Sequence, residues 1–121
     1  MKATEQTLQQ IERALRKAAA KFTGEGEQMP LTDIYLQLKQ ESGELLIYDD
    51  DNRELTRCVV EEWMGNSSET FYEEVQPVLC HALKGLQPLW DQLPVLKPYS
   101  FVLLDEEGET VTDLLLVDDD L

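Results

Sequence analysis

Three short segments of the chain are apolar without interruption: Leu45-Leu46-Ile47-Tyr48, Phe101-Val102-Leu103-Leu104 and Leu114-Leu115-Leu116-Val117. Runs this short suit strands rather than helices, and a strand that is apolar at consecutive positions needs cover on both of its faces. A half-exposed strand would alternate instead. The fold must therefore protect two sides of a sheet. Three arrangements meet that demand: the helices divide between the faces, the second face pairs with another copy, or it docks a partner chain. Pairing with another copy is the first expectation, which makes the chain a homodimer.

Helical patterning supplies two long helices. Leu8, Ile11, Leu15, Ala18 and Phe22 recur in steps of three and four, which predicts a helix over 4–22 with Thr4 as its cap and Gly24 as its stop. Arg16, Lys17 and Lys21 oppose the negative end of its dipole. A second helix is predicted over 66–85, with Phe71, Val75, Val78, Leu79, Ala82 and Leu83 as its buried stripe. Thr70 and Glu73 have capping-box spacing, and Gly85 closes the helix. Pro88 to Leu93 reads as one further short turn carrying Trp90.

Between the helices, Asp33 to Lys39 alternates, placing Ile34, Leu36 and Leu38 on one face and Tyr35, Gln37 and Lys39 on the other. Leu45–Asp49 and Leu55–Val60 complete a meander, joined by the turn Asp50-Asp51-Asn52-Arg53, whose Asp and Asn residues tolerate positive φ. Tyr99–Leu104 and Thr110–Val117 are the last strands. The order is α-βββ-α-ββ. Strands in runs, without βαβ alternation, predict a two-layer α+β fold with an antiparallel sheet of about five strands and two main helices. Residues 1–121 read as a single domain whose last residues, 118–121, fray. A partial echo links the halves: each has a helix, a proline-containing loop and a hairpin, and each second strand runs into three aspartates. Duplication and convergent turn chemistry both account for it.

Charge narrows the partners. The formal net charge is −15, from 25 acidic and 10 basic residues, and residues 1–22 run against it with a net +3, leaving −18 on the rest. Such a field repels nucleic-acid phosphates and anionic membranes and favours a protein partner of basic character. Acidity also serves solubility, as in many bacterial cytosolic proteins. The polar N-terminal residues lack the apolar core of a secretory signal, so a cytoplasmic location is expected. The two cysteines, Cys58 and Cys80, lie in apolar segments and are expected as free thiols.

Chemistry-bearing motifs are few. Asp49, Asp50 and Asp51, and again Asp118, Asp119 and Asp120, are hard oxygen ligands of the kind that hold calcium or magnesium. The first triplet lacks the turn glycine and distal glutamate of an EF-hand loop, and strand-end capping is the simpler role. His81 is the one histidine, and no orienting group marks it for catalysis. No phosphate-cradling glycine pattern occurs and no cofactor is implied. The chain is read as non-catalytic. Trp63, Trp90 and Tyr99, near element ends, are the candidate anchors for a partner.

The element order, small size and acidity resemble the dimeric secretion-chaperone architecture, in which the chain keeps an effector segment extended on its surface. That resemblance implies a dimeric, protein-binding module, and no residues are carried over from it. The family's usual third helix has no counterpart among the predicted elements. An adaptor or chaperone-like binding module is therefore the leading expectation. Its alternatives are an inhibitor or immunity protein mimicking nucleic-acid charge, and an enzyme using carboxylates or a divalent metal.

Overall fold

The computed structural model describes residues 4–22 and 31–118. Helix α1 (Glu5–Ala19) is followed by strands β1 (Ile34–Lys39), β2 (Glu44–Tyr48) and β3 (Glu54–Val59). A 3-10 turn (Glu61–Trp63), helices α2 (Phe71–Gly85) and α3 (Gln87–Gln92), and strands β4 (Tyr99–Leu104) and β5 (Thr110–Val117) complete it. The result is an α+β fold in the order α-βββ-α-ββ. The Gly24 helix stop, the 23–30 loop and the aspartates Asp119 and Asp120 lie outside the described residues.

The strands form one sheet in the order β3-β2-β1-β4-β5. Three of the four pairings are antiparallel, but β1 and β4 run parallel, with Ile34 opposite Phe101 and Gln37 opposite Leu104. The sheet is therefore mixed rather than wholly antiparallel. The reason is the connection: from β3 the chain crosses the helical layer through α2 and α3 and returns at the end where β1 begins. A crossover of that length is what a parallel pair requires, whereas tight hairpins join antiparallel ones.

Both long helices pack on the same face. Ile11, Leu15 and Ala18 of α1 and Phe71, Val75, Leu79 and Leu83 of α2 join one cluster with Ile34, Leu36, Leu38, Leu45, Ile47, Phe101 and Leu103 of the sheet. Dividing the helices between faces is thereby ruled out. The intervening residues of the apolar runs, Leu46 and Val102, point to the opposite face, are buried there, and stand outside that cluster.

Trp63, Trp90 and Tyr99 are each only 1 % exposed, so they are core residues and not partner anchors. Their apolar rings are worth more in the core than at the surface, and two of the three satisfy their polar tips there. Trp90 Nε1 donates to the Leu83 carbonyl at 2.8 Å, and the Tyr99 hydroxyl donates to the Trp90 carbonyl at 2.7 Å. Trp63 meets Phe71 edge to face with centroids 5.9 Å apart, but its Nε1 has no acceptor among the described residues.

Side chains fix the helix starts. Thr4 Oγ1 accepts the Thr7 N–H at 3.2 Å, and the Thr4 and Thr7 hydroxyls both donate to the Glu62 carboxylate, joining α1 to the 3-10 turn. At α2 the expected Thr70–Glu73 capping box is replaced by its neighbour. The Ser68 and Thr70 hydroxyls donate to Glu74 Oε2 at 2.6 and 3.0 Å. Gly43, in the β1–β2 turn, has φ +73, and a Cβ there would lie 2.8 Å from the Val60 carbonyl oxygen, so only glycine fits.

The echo between the halves is not a structural repeat. Parallel β1 and β4, with β2 and β5 outside them, could be interchanged only by a rotation about the strand direction, which exchanges the faces of a sheet. The two preceding helices, however, share one face. Similar turn chemistry accounts for the echo.

Candidate functional site

The helix-free face carries a groove of about 520 Å3. Its floor comes from outward positions of the central strands: Tyr35 and Gln37 of β1, Tyr48 of β2 and Leu104 of β4. Because β2 ends beside Tyr35 and β4 ends beside Gln37, the groove runs along β1 between two hairpin turns. Asp49, Asp50 and Asn52 of the β2–β3 turn close one end, and Gly108 of the β4–β5 turn with Thr110 at the start of β5 closes the other.

The aspartate triplet is thus divided by role. Asp49 is nearly buried and acts as turn cement: its Oδ1 accepts the N–H groups of Asp51 and Arg53 at 2.9 and 3.0 Å. Its Oδ2 pairs with Arg53 Nε at 3.2 Å. Asn52 takes φ 60, the left-handed conformation that its short polar side chain tolerates. The Thr32 hydroxyl accepts the Asp50 N–H at 2.9 Å, which ties the turn to the start of β1. Asp50 is exposed at the groove mouth, with its carboxylate beside the Tyr35 hydroxyl. Interaction with Asp50, together with burial and the charge of Asp33, pushes the Tyr35 phenol up to about 12. Asp51 projects outward.

At the other end Gln37 Nε2 donates to the Asp105 and Glu106 carbonyls, both at 3.2 Å, so a floor residue anchors the turn. Asp105 Oδ1 accepts the N–H groups of Glu107 and Glu109 at 3.0 and 2.9 Å. This is the same carboxylate-capped turn that Asp49 builds. Glu106, Glu107 and Glu109 are left exposed around it. Toward β3, Arg57 Nε donates to both oxygens of Glu54, holding that carboxyl below its usual range.

The arrangement is a shallow trough with two phenol rings and one leucine as its floor and carboxylates at both ends. It suits a cation with an apolar stem, such as a lysine or arginine side chain, which can lie on an aromatic face while its head meets a carboxylate. Among the described residues no group of three His, Cys, Asp or Glu side chains is placed to hold a metal ion. In the first triplet, both carboxylate oxygens of Asp49 already have partners within the turn. Asp118 is exposed just past the end of β5, three strands across the sheet from β2. His81 is exposed on α2, and both cysteines are free. No described helix is long and apolar enough to cross a membrane.

Of the candidate residues named from sequence, the structure brings Asp49 and Asp50 to the groove. Tyr35 and Gln37 are signalled by the outward set of the β1 alternation, which acquires meaning only when β1 sits in the middle of the sheet, whereas Tyr48 and Leu104 end uninterrupted apolar runs and carry no such signal. No family model, curated protein or solved structure matches the chain, and the resemblance to secretion chaperones rests on element order, size and charge alone.

Proposed function

We propose that the chain is a non-catalytic binding module that takes a basic, extended segment of a partner protein in the groove on its helix-free sheet face. The observation that supports this reading is the pairing of the Tyr35 and Tyr48 rings with the Asp50 carboxylate in one open trough. The groove lies over the central strands, so recognition runs through side chains and not through strand addition at an edge. A single cation stacked on a tyrosine contributes about 0.5–2 kcal/mol, so useful affinity needs several basic residues meeting the acidic turns together.

The test is fluorescence anisotropy with a labelled lysine- and arginine-rich peptide. Tyr48→Ala and Asp50→Asn are each expected to weaken binding by roughly fivefold to tenfold. Unchanged affinity in both variants would refute the groove. If binding then collapsed with added salt, the charge-mimic inhibitor would be the better reading, since a diffuse acidic surface needs no particular residue.

A second reading, self-association, is favoured by edge strand β5. Leu116 is 59 % exposed there on the helix-free face, with Val111 exposed on the same strand. Light scattering is expected to show a dimer that Leu116→Lys converts to monomer; a monomeric parent chain would dispose of this reading.

A further inference from the structure

On the opposite side of the molecule, α1 presents Arg13, Arg16, Lys17 and Lys21, all exposed, on one stripe. The chain has 25 acidic residues, yet among the described residues no carboxylate lies within ion-pair distance of these four cations. The stripe borders two shallow grooves that share Arg16 and Ala20. One, of about 410 Å3, is lined by Glu12, Arg13 and Lys17. The other, of about 380 Å3, runs between the end of α1 and α3 and is walled by Phe22, Leu89, Leu93 and Pro94. A cationic strip thus adjoins an apolar slot, with Arg16 at the junction.

We infer that the outer face of α1 is a second docking surface, and that its occupant is an acidic amphipathic segment of another protein. Its carboxylates would meet Arg13, Arg16 and Lys17, and one apolar side chain would enter the slot between Phe22, Leu89 and Pro94. Charge complementarity selects the anion, and the slot selects a segment that also carries an apolar side chain. The −15 net charge selects among polyanions. A nucleic acid or an anionic bilayer extends past the stripe and meets the repulsion of the acidic body, whereas a short segment meets the stripe alone. The molecule would then be bipolar, taking a basic segment on one face and an acidic one on the other. This inference is independent of the sheet-face reading.

The experiment uses a short glutamate-rich peptide carrying one phenylalanine, followed by anisotropy against the full chain. Saturable binding is expected, weakened at least about tenfold by the double reversal Arg16→Glu with Lys17→Glu. Removing the phenylalanine from the peptide is expected to weaken it by roughly fivefold or more. Reversal places carboxylates at the negative end of the helix dipole, so the neutral pair R16Q/K17Q, checked for helicity by circular dichroism, serves as the second variant and is expected to weaken binding several-fold. Equal binding by parent and both variants would overturn the proposal. So would tighter binding of duplex DNA or of phosphatidylserine vesicles than of the peptide.

Discussion

The two faces of this sheet are built from the same strands and held by different means. On the helix-covered face, Leu45 and Ile47 join a continuous apolar cluster with α1 and α2. On the helix-free face, their neighbour Leu46 is equally buried, yet it sits in register between Gln37 and Arg57 and belongs to no such cluster. Volume stabilises the first face. Hydrogen-bonded turns and polar side chains shape the second, through Asp49, Asp105 and Gln37. A face organised by polar groups can stay open without exposing a large apolar patch, and that makes it usable for recognition.

The largest test of this contrast uses adjacent residues. Leu45→Ala is expected to destabilise by about 3–4 kcal/mol, because the rigid helical layer cannot collapse into the cavity. Leu46→Ala is expected to cost about 2 kcal/mol, the low end for a buried leucine, because the side chains over it can relax. Urea denaturation measures both, and equal costs would show that the two faces are packed alike.

The tryptophans give a finer comparison within the covered face. Trp90→Phe removes the indole donor from the Leu83 carbonyl, which keeps the Leu86 N–H, whereas Trp63→Phe removes a buried N–H that has no acceptor among the described residues. Each loses similar volume, so Trp90→Phe is expected to be the costlier by about 1 kcal/mol. The reverse order in denaturation would mean that Trp63 Nε1 has a partner.

The smallest expected effect is electrostatic. The Tyr35 phenol ordinarily titrates near 10 and is pushed up to about 12 in the fold. Its contribution to stability is therefore complete below pH 10 and lost as pH rises from 10 to about 12. Ultraviolet titration is expected to show a late phenol that Asp50→Asn moves down toward its ordinary value. A late transition unaffected by Asp50→Asn would break the Tyr35–Asp50 link.

Much of the fold was legible because periodicity is local. The two helices, the five strands and the Asp50–Arg53 turn all fall within a few residues of where Leu8–Phe22, Ile34–Leu38 and Phe71–Leu83 place them. The parallel pairing of β1 with β4 was not legible, since it depends on where a long crossover returns. That one fact moves Tyr35 and Gln37 from a strand's outer side to the centre of a groove. The aspartates near the groove were visible as a cluster, but their division between cement and rim depends on which oxygens the turn consumes. Aromatic residues near element ends belong to the core, because a ring such as Trp90 gains more from burial than its position in the chain reveals.

The central claim is that the open sheet face binds a basic segment, and amide chemical-shift mapping with the lysine- and arginine-rich peptide tests it most directly. Perturbations are expected to concentrate at Tyr35, Gln37, Tyr48, Asp50 and Gly108 while the amides of α2 stay in place. Perturbations spread evenly over the acidic surface, or confined to the helical layer, would contradict it.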